Sequence, residues 1–460
     1  MAQIYREGEH KIRPDVYYRY SGRETAANPG AADGINALVM KASWGPLGTA
    51  EVFTYAEDVR AVYGDCPGAD MAEAMFQEGT SKLYVYRAGG ENGAKATLTQ
   101  GQNVVITAKY EGDFPIKIKV QKEPGGEDKI CSVIVGNKAV EVYHIAASGA
   151  EAAELAEMMQ ESAYVTMEPG KEGALAEFET VLTGGADPVV TAEGYEAGFY
   201  ALEPYYYNVI CTDTTDEGVQ NLLREYVDQA VENGKFPMAV LAADMTKSFE
   251  ERMERAASFN DEQIAVIGNT YINLRGEEEP EIMAAARLAA AIAATPANRS
   301  IIHREIRDGA DTAEKFTNRQ YEAAIRSGLI LFSVSADGRV WFDSGVTTLT
   351  EPGENQDEGW KKVKRTKVRN ELMHRLDVMM EKKIGKINCD SDGIADVIQA
   401  GTSLLEDMAG EKKLLPGGIF ALDPSNPKTS DSAWFIVEAD DIDTLEKIYL
   451  HYKFSNMPTA

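Results

Sequence analysis

The sequence predicts an α/β fold: a helix-covered, mainly parallel sheet core with an inserted β-rich domain, an α+β C-terminal domain and extended terminal arms. Three observations carry this. Short apolar runs in "GINALVMKASWGP", "YYNVICTDTTDEG", "FPMAVLAAD" and "EQIAVIGNT" alternate with helix-periodic stretches, as parallel strands buried on both faces do. From about Gly89 the pattern changes to short alternating runs split by Gly-rich turns, the mark of a small sandwich or barrel. Both ends carry strand-like runs, "IRPDVYYRY" at 12–20 and "KIYLHYKF" at 447–454, with no hairpin partner beside them.

The elements follow in order. Residues 1–22 read as an N-terminal arm. A core domain of 23–89 plus 195–345 opens with a strand that breaks at Gly45-Pro46. Two helical stretches and the strand "KLYVYRA" come next. The β-rich insertion spans 90–194 and includes the amphipathic helix "AAELAEMMQESA". The αβ alternation resumes at Gly194. The helix "AAARLAAAIAATP", nearly all alanine and stopped by Pro296, is expected to pack closely against a sheet or another helix. "GLILFSVSADGRVWFDSGVTTLT" reads as a hairpin turning at 336–339. A C-terminal domain, 346–446, holds helices at about 366–383 and 392–408, and 447–460 is a second arm. In that arm Ile448, Leu450, Tyr452 and Phe454 share one face, and Lys447, Tyr449, His451 and Lys453 the other.

Composition narrows the function classes. The chain has 460 residues and a formal net charge of −28, which argues against general nucleic-acid binding. Cys66, Cys131, Cys211 and Cys389 are far apart, so neither a zinc site nor a disulfide framework is expected. The start, "MAQIYREGEH", has no apolar signal core, and no run approaches the ~20 apolar residues of a membrane helix.

Chemical motifs are sparse. There is no GxGxxG after a strand, no GxxxxGK[ST] and no GxSxG, and the five histidines are scattered. Asp213 and Asp216, at a strand end, suit a bound Mg²⁺ or a helix cap, and capping is the expected role. "NCDSDGIADVIQ" follows a calcium loop through Asn388, Asp390, Asp392 and Gly393, but position twelve is Gln399, so a helix start is expected. No catalytic, cofactor or metal residue is assigned. Residues 360–386 hold ten basic and three acidic side chains, inverting the charge of the whole chain. That inversion predicts a docking surface for an acidic partner.

The order of parts resembles the tail sheath proteins of contractile phage tails and phage-tail-like bacteriocins. "RPDVYYRY" is similar to the family's N-terminal "PGVY" strand, with Asp15 where Gly is common. "INALVMKASWGPLGTAEVFT" resembles its first core strand and "GP" turn. "AARLAAAIAATPANRS" resembles its small-residue helix. "WFDSGVTTLT", a Lys/Arg-rich helix and "IGKINCDSDG" resemble its C-terminal signature, with Val346 where Asn is typical. The resemblance implies a structural protein, not an enzyme, stacking as hexameric rings around an inner tube and contracting to drive it through a cell envelope. Partners implied are further copies, the tail tube protein, and baseplate and tail terminator proteins, without direct nucleic acid, membrane insertion or cofactor. The implied location is a phage or phage-tail-like particle assembled in the bacterial cytoplasm. Val16, Tyr17, Tyr18, Arg19 and Tyr20, with Ile448, Tyr449, Leu450, His451 and Tyr452, are then strands given to neighbouring copies. Lys361, Lys362, Lys364, Arg365, Lys367, Arg369 and Arg375 are expected to dock on an acidic tube. Two alternatives remain: an α/β enzyme acting at Asp213 and Asp216, and a non-contractile self-assembling scaffold.

Overall fold

The computed structural model describes residues 3–4, 17–18, 33–168, 173–354 and 356–454. At its centre is a seven-stranded sheet. Its order is Leu329–Ile330, Ile264–Ile267, Met238–Ala242, Val209–Thr212, Ile35–Met40, Lys82–Arg87 and Ala50–Phe53. The first six run parallel, and Ala50–Phe53 forms an antiparallel edge. Successive side chains enter opposite apolar layers. Leu38 and Met40 pack with the helices Ala56–Tyr63, Pro67–Gln77 and Glu281–Ala294, whereas Ala37 and Val39 pack with those at Ala192–Leu202, Glu217–Glu232 and Phe249–Phe259. Burial on both faces explains why these strands read as unbroken apolar runs.

The alanine-rich helix Glu281–Ala294 lies flat under the sheet, buried from Met283 to Ala293. Small side chains allow that close approach. Its single cation, Arg287, is 2% exposed and pairs at 2.7 Å with Glu78, also 2% exposed. The Tyr271 hydroxyl accepts from its Nε at 2.5 Å.

Between Gly90 and Val190 two sheets close on one apolar cluster. One runs Lys138–Ile145, Lys129–Val135, Ile116–Lys122, Phe178–Val181; the other Val165–Met167, Val104–Ala108, Thr97–Gln100. Trp44, from the loop after the first core strand, enters this cluster, stacking on Phe114 at 4.6 Å and meeting Tyr110 edge-on at 5.1 Å. Arg87 is fully buried beside it and donates to the carbonyls of Ala42, Gly45 and Glu111. Gly45 of the "GP" turn has φ +99°, and a Cβ there would lie 2.5 Å from the Tyr63 ring.

The C-terminal module has helices Val363–Glu381 and Ser391–Gly410 and a hairpin of Ile419–Leu422 with Phe435–Glu438. Val368, Leu405, Met408 and Phe420 share its apolar cluster. The terminal runs depart from their predicted form. Tyr17–Tyr18 is a strand, but it pairs in parallel with Gln3–Ile4 of the same chain, in a ladder of two residues. Val16, Arg19 and Tyr20 lie outside the described residues. Residues 447–454 form no strand, because nothing in the chain pairs with them among the described residues.

Candidate functional site

The first candidate was the strand end at Asp213. Asp216 is the N-cap of the Glu217–Glu232 helix, its side chain accepting from Val219 N–H at 2.9 Å. Asp213 accepts from the Lys41 backbone N–H at 2.7 Å and the Tyr195 hydroxyl at 2.5 Å. Burial raises its pKa, and those two donors oppose the rise. Both carboxylates therefore serve the fold, Asp213 joining neighbouring strands rather than capping. Asp390 likewise caps the Ser391–Gly410 helix through Gly393 N–H at 2.8 Å. Among the described residues no group of three or more His, Cys, Asp or Glu is placed to hold a metal ion, and no helix is long and apolar enough to cross a membrane.

Six of the seven cations expected to dock on the tube have partners inside the chain. Arg365 forks onto Asp441 through two contacts of 2.6 Å, with side chains 17% and 11% exposed, and also reaches Asp357. Lys362 holds Asp443 at 2.5 Å and Glu446 at 2.9 Å. Arg375 bridges Glu371 and Glu411. Lys361 pairs with Glu358 at 2.9 Å. Arg369 lies over the Trp360 ring, 3.9 Å from its centroid. Lys367 is buried, and its ammonium donates to the carbonyls of Ile292 at 2.6 Å and of Thr295, at the C-terminal end of the alanine-rich helix. Lys364 is buried as well. The physical reason is local complementarity. "EADDIDTLE", residues 438–446, is an acidic strap that crosses the start of the basic helix. Sequence reading missed it; the signal was an acidic run facing a basic run within one domain.

Beyond the strap the chain leaves the body. Every residue from Leu445 to Phe454 is exposed, among them Leu445, Ile448, Leu450, Tyr452 and Phe454, with Tyr449 at 88% and Phe454 at 92%. Nearby, the C-terminal hairpin has two strands, so each keeps one edge unpaired among the described residues. Ile419, Trp434 and Val437 are exposed on it. A groove of about 350 Å³, lined by Met380, Ile384, Ile387, Phe420 and Phe435, lies beside the hairpin.

The overall fold is similar to that of solved tail sheath proteins. Residues 189–348 match the family model for the phage tail sheath protein central domain. The chain is 20% identical to the sheath tail protein of Desulfitobacterium hafniense, with a TM-score of 0.72 over 93% of this chain and 100% of that one. It is 20% identical to a sheath tail protein of Listeria innocua, with a TM-score of 0.69 over 90% and 97%. The contracted helical sheath of the anti-feeding prophage is similar at 10% identity, with a TM-score of 0.54 over 96% and 99%. No curated protein sequence matches.

Proposed function

We propose that this protein is the subunit of a contractile tail sheath, stacking as hexameric rings around an inner tube and shortening to drive that tube through a cell envelope. One observation carries the reading: the segment 445–454 holds Leu445, Ile448, Tyr449, Leu450, Tyr452 and Phe454 exposed on an acidic monomer. Such a segment is a liability unless another chain covers it. Its side chains alternate, so a neighbouring copy would receive it by strand addition, through backbone hydrogen bonds that tolerate rotation of the attached bodies. The open edge of the Ile419–Leu422 and Phe435–Glu438 hairpin, with its apolar groove, offers a receiving site of matching character. The N-terminal strand around Tyr17 and Tyr18 is the second exchanged element, its two-residue ladder being short enough to give way. The tail tube, baseplate and tail terminator proteins are the further partners, in a phage or phage-tail-like particle assembled in the bacterial cytoplasm.

Negative-stain microscopy of the purified protein tests this reading. Hollow cylinders from the intact chain, and folded monomers from a chain ending at Asp443, are expected. Cylinders that form equally well from the shortened chain overturn it.

A further inference from the structure

A cavity of about 360 Å³ opens between the helix Val363–Glu381 and two loops of the core, 204–208 and 234–238. That volume falls in the roughly 300–1,000 Å³ range of small-molecule sites. The helix turns one stripe toward it, from Lys367 through His374 to Glu381, at spacings of three and four residues. The facing wall is aromatic and aliphatic, built from Tyr205, Tyr206, Phe236, Met238 and Ile292.

Most polar groups lining the cavity are already answered. The Lys367 ammonium donates to the carbonyls of Ile292 and Thr295, with the Asp33 carboxylate 3.9 Å away. Glu371 accepts from Lys413 at 2.6 Å and pairs with Arg375 at 2.5 Å. The Asn370 and Gln263 amides bond each other, and Lys235 donates to the Glu203 carbonyl. Asn208 accepts from the Ile35 N–H and donates to the Tyr206 hydroxyl. On the helix, three side chains are left over among the described residues. His374 is half-buried, its ring stacked on Tyr206 at 4.1 Å, and neither ring nitrogen has a hydrogen-bond partner. Asp377 and Glu381 are exposed at the rim, one turn apart, with no cation paired to either.

All three leftovers call for a positively charged donor. Like charges four residues apart on a helix destabilise it unless a cation answers them. Burial lowers the His374 pKa, so the ring is neutral at neutral pH and keeps a lone pair for a donor. The tyrosine and phenylalanine rings of the wall have negative faces that attract a cation. An anion would meet two bare carboxylates, and a neutral apolar molecule would leave them unanswered. We propose that this cavity binds a small organic cation with an apolar body, of the alkylammonium class. Its head sits among His374, Asp377 and Glu381, and its body lies along Tyr206 and Phe236 toward Met238. The proposal goes beyond the sheath reading and does not rest on it.

Isothermal titration calorimetry of the full chain tests it with three probes of one body and different charge: hexylammonium, hexanol and hexanoate. The buffer holds about 0.15 M salt, where diffuse attraction to a chain of net charge −28 is screened. Hexylammonium should bind one molecule per chain, hexanol at least about tenfold more weakly, and hexanoate not measurably. Asp377→Asn with Glu381→Gln should weaken hexylammonium binding by at least about tenfold. Both positions are exposed, so the variant keeps its fold. Glu406→Gln, which removes an exposed carboxylate of the same module outside the cavity, should leave binding unchanged. Hexanol or hexanoate binding as tightly as hexylammonium, no binding of hexylammonium, or a double variant that binds it as the intact chain does, overturns the proposal. None of these outcomes bears on the sheath reading, which the microscopy decides.

Discussion

Replacing Arg365 by Met should loosen the root of the C-terminal arm and little else. The Arg365–Asp441 fork has two contacts of 2.6 Å between side chains 17% and 11% exposed. Breaking a fully buried pair costs roughly 3–5 kcal/mol, and hydrogen bonds to charged groups contribute roughly 1.5–3. This pair touches solvent, and Lys362 still holds Asp443 and Glu446, so about 2 kcal/mol is the reasonable figure. That is about 30-fold in a local opening equilibrium. Two backbone amides report it. Ile442 N–H donates to the Lys413 carbonyl at 2.9 Å, and Leu415 N–H to the Asp440 carbonyl at 2.7 Å. Hydrogen exchange at both should accelerate by about that factor in Arg365→Met, while amides of the central sheet keep their rates. Arg365→Lys, which keeps the charge but loses the fork, should fall between. Unchanged exchange at Ile442 and Leu415, or equal acceleration throughout the chain, would refute the assignment of the strap as an electrostatic fastening.

Three more outcomes follow. Trp44→Ala should cost about 3–5 kcal/mol by emptying the aromatic cluster it fills, seen as earlier thermal unfolding of the insertion; a change under about 1 kcal/mol would mean the plug does not fasten it. Burial lowers the Lys367 pKa to about 8, against an ordinary 10.4 or so in the unfolded chain. The unfolded chain therefore binds more protons between those values, and stability of the C-terminal module should rise over that window by up to about 3 kcal/mol; denaturant titrations of Lys367→Met should lack this rise. Leu450→Pro removes an N–H from an exposed segment, so monomer stability should change by less than about 0.5 kcal/mol, while light scattering should show polymerisation lost; polymers of normal length would speak against strand addition through the arm.

The central sheet was legible because its chemistry is local. Residues 35–40, 209–212, 238–242 and 264–267 are apolar on both faces, and the loops between them hold helix-periodic sequence, so strand type and parallel direction follow together. The alanine-rich helix was legible for the same reason: side chains that small fit only a close approach. The charge inversion at 360–386 was visible, but its meaning was not. Sequence counts charges; it does not say which are already answered. Asp441, Asp443 and Glu446 lie about eighty residues away in the chain and within hydrogen-bond reach in space. Arg87 and Arg287 were missed altogether, because a lone arginine among apolar residues has no spacing signature, and its partners, three carbonyls in one case and Glu78 in the other, come from distant turns.

In the proposed sheath, a chain of net charge −28 must hold like-charged bodies together, and the geometry of the arm offers a way. Ten extended residues reach about 33 Å, several times the ~8 Å screening length at physiological salt. The acidic bodies can thus stand apart by more than the range of their repulsion while the arms make contact. Ordering ten residues costs roughly 10–20 kcal/mol. Burying Ile448, Leu450, Tyr452 and Phe454 returns roughly 6–12 kcal/mol, and strand hydrogen bonds add about 1 kcal/mol each. One arm is close to balance, so one contact joins two copies only weakly. Stability then has to come from closure, each copy giving and receiving, and a lattice held that way forms cooperatively. Salt should lower the concentration at which polymers appear, because it shortens the repulsion and leaves the uncharged strand pairing untouched; a threshold that rises with salt would place the binding energy in ion pairs instead.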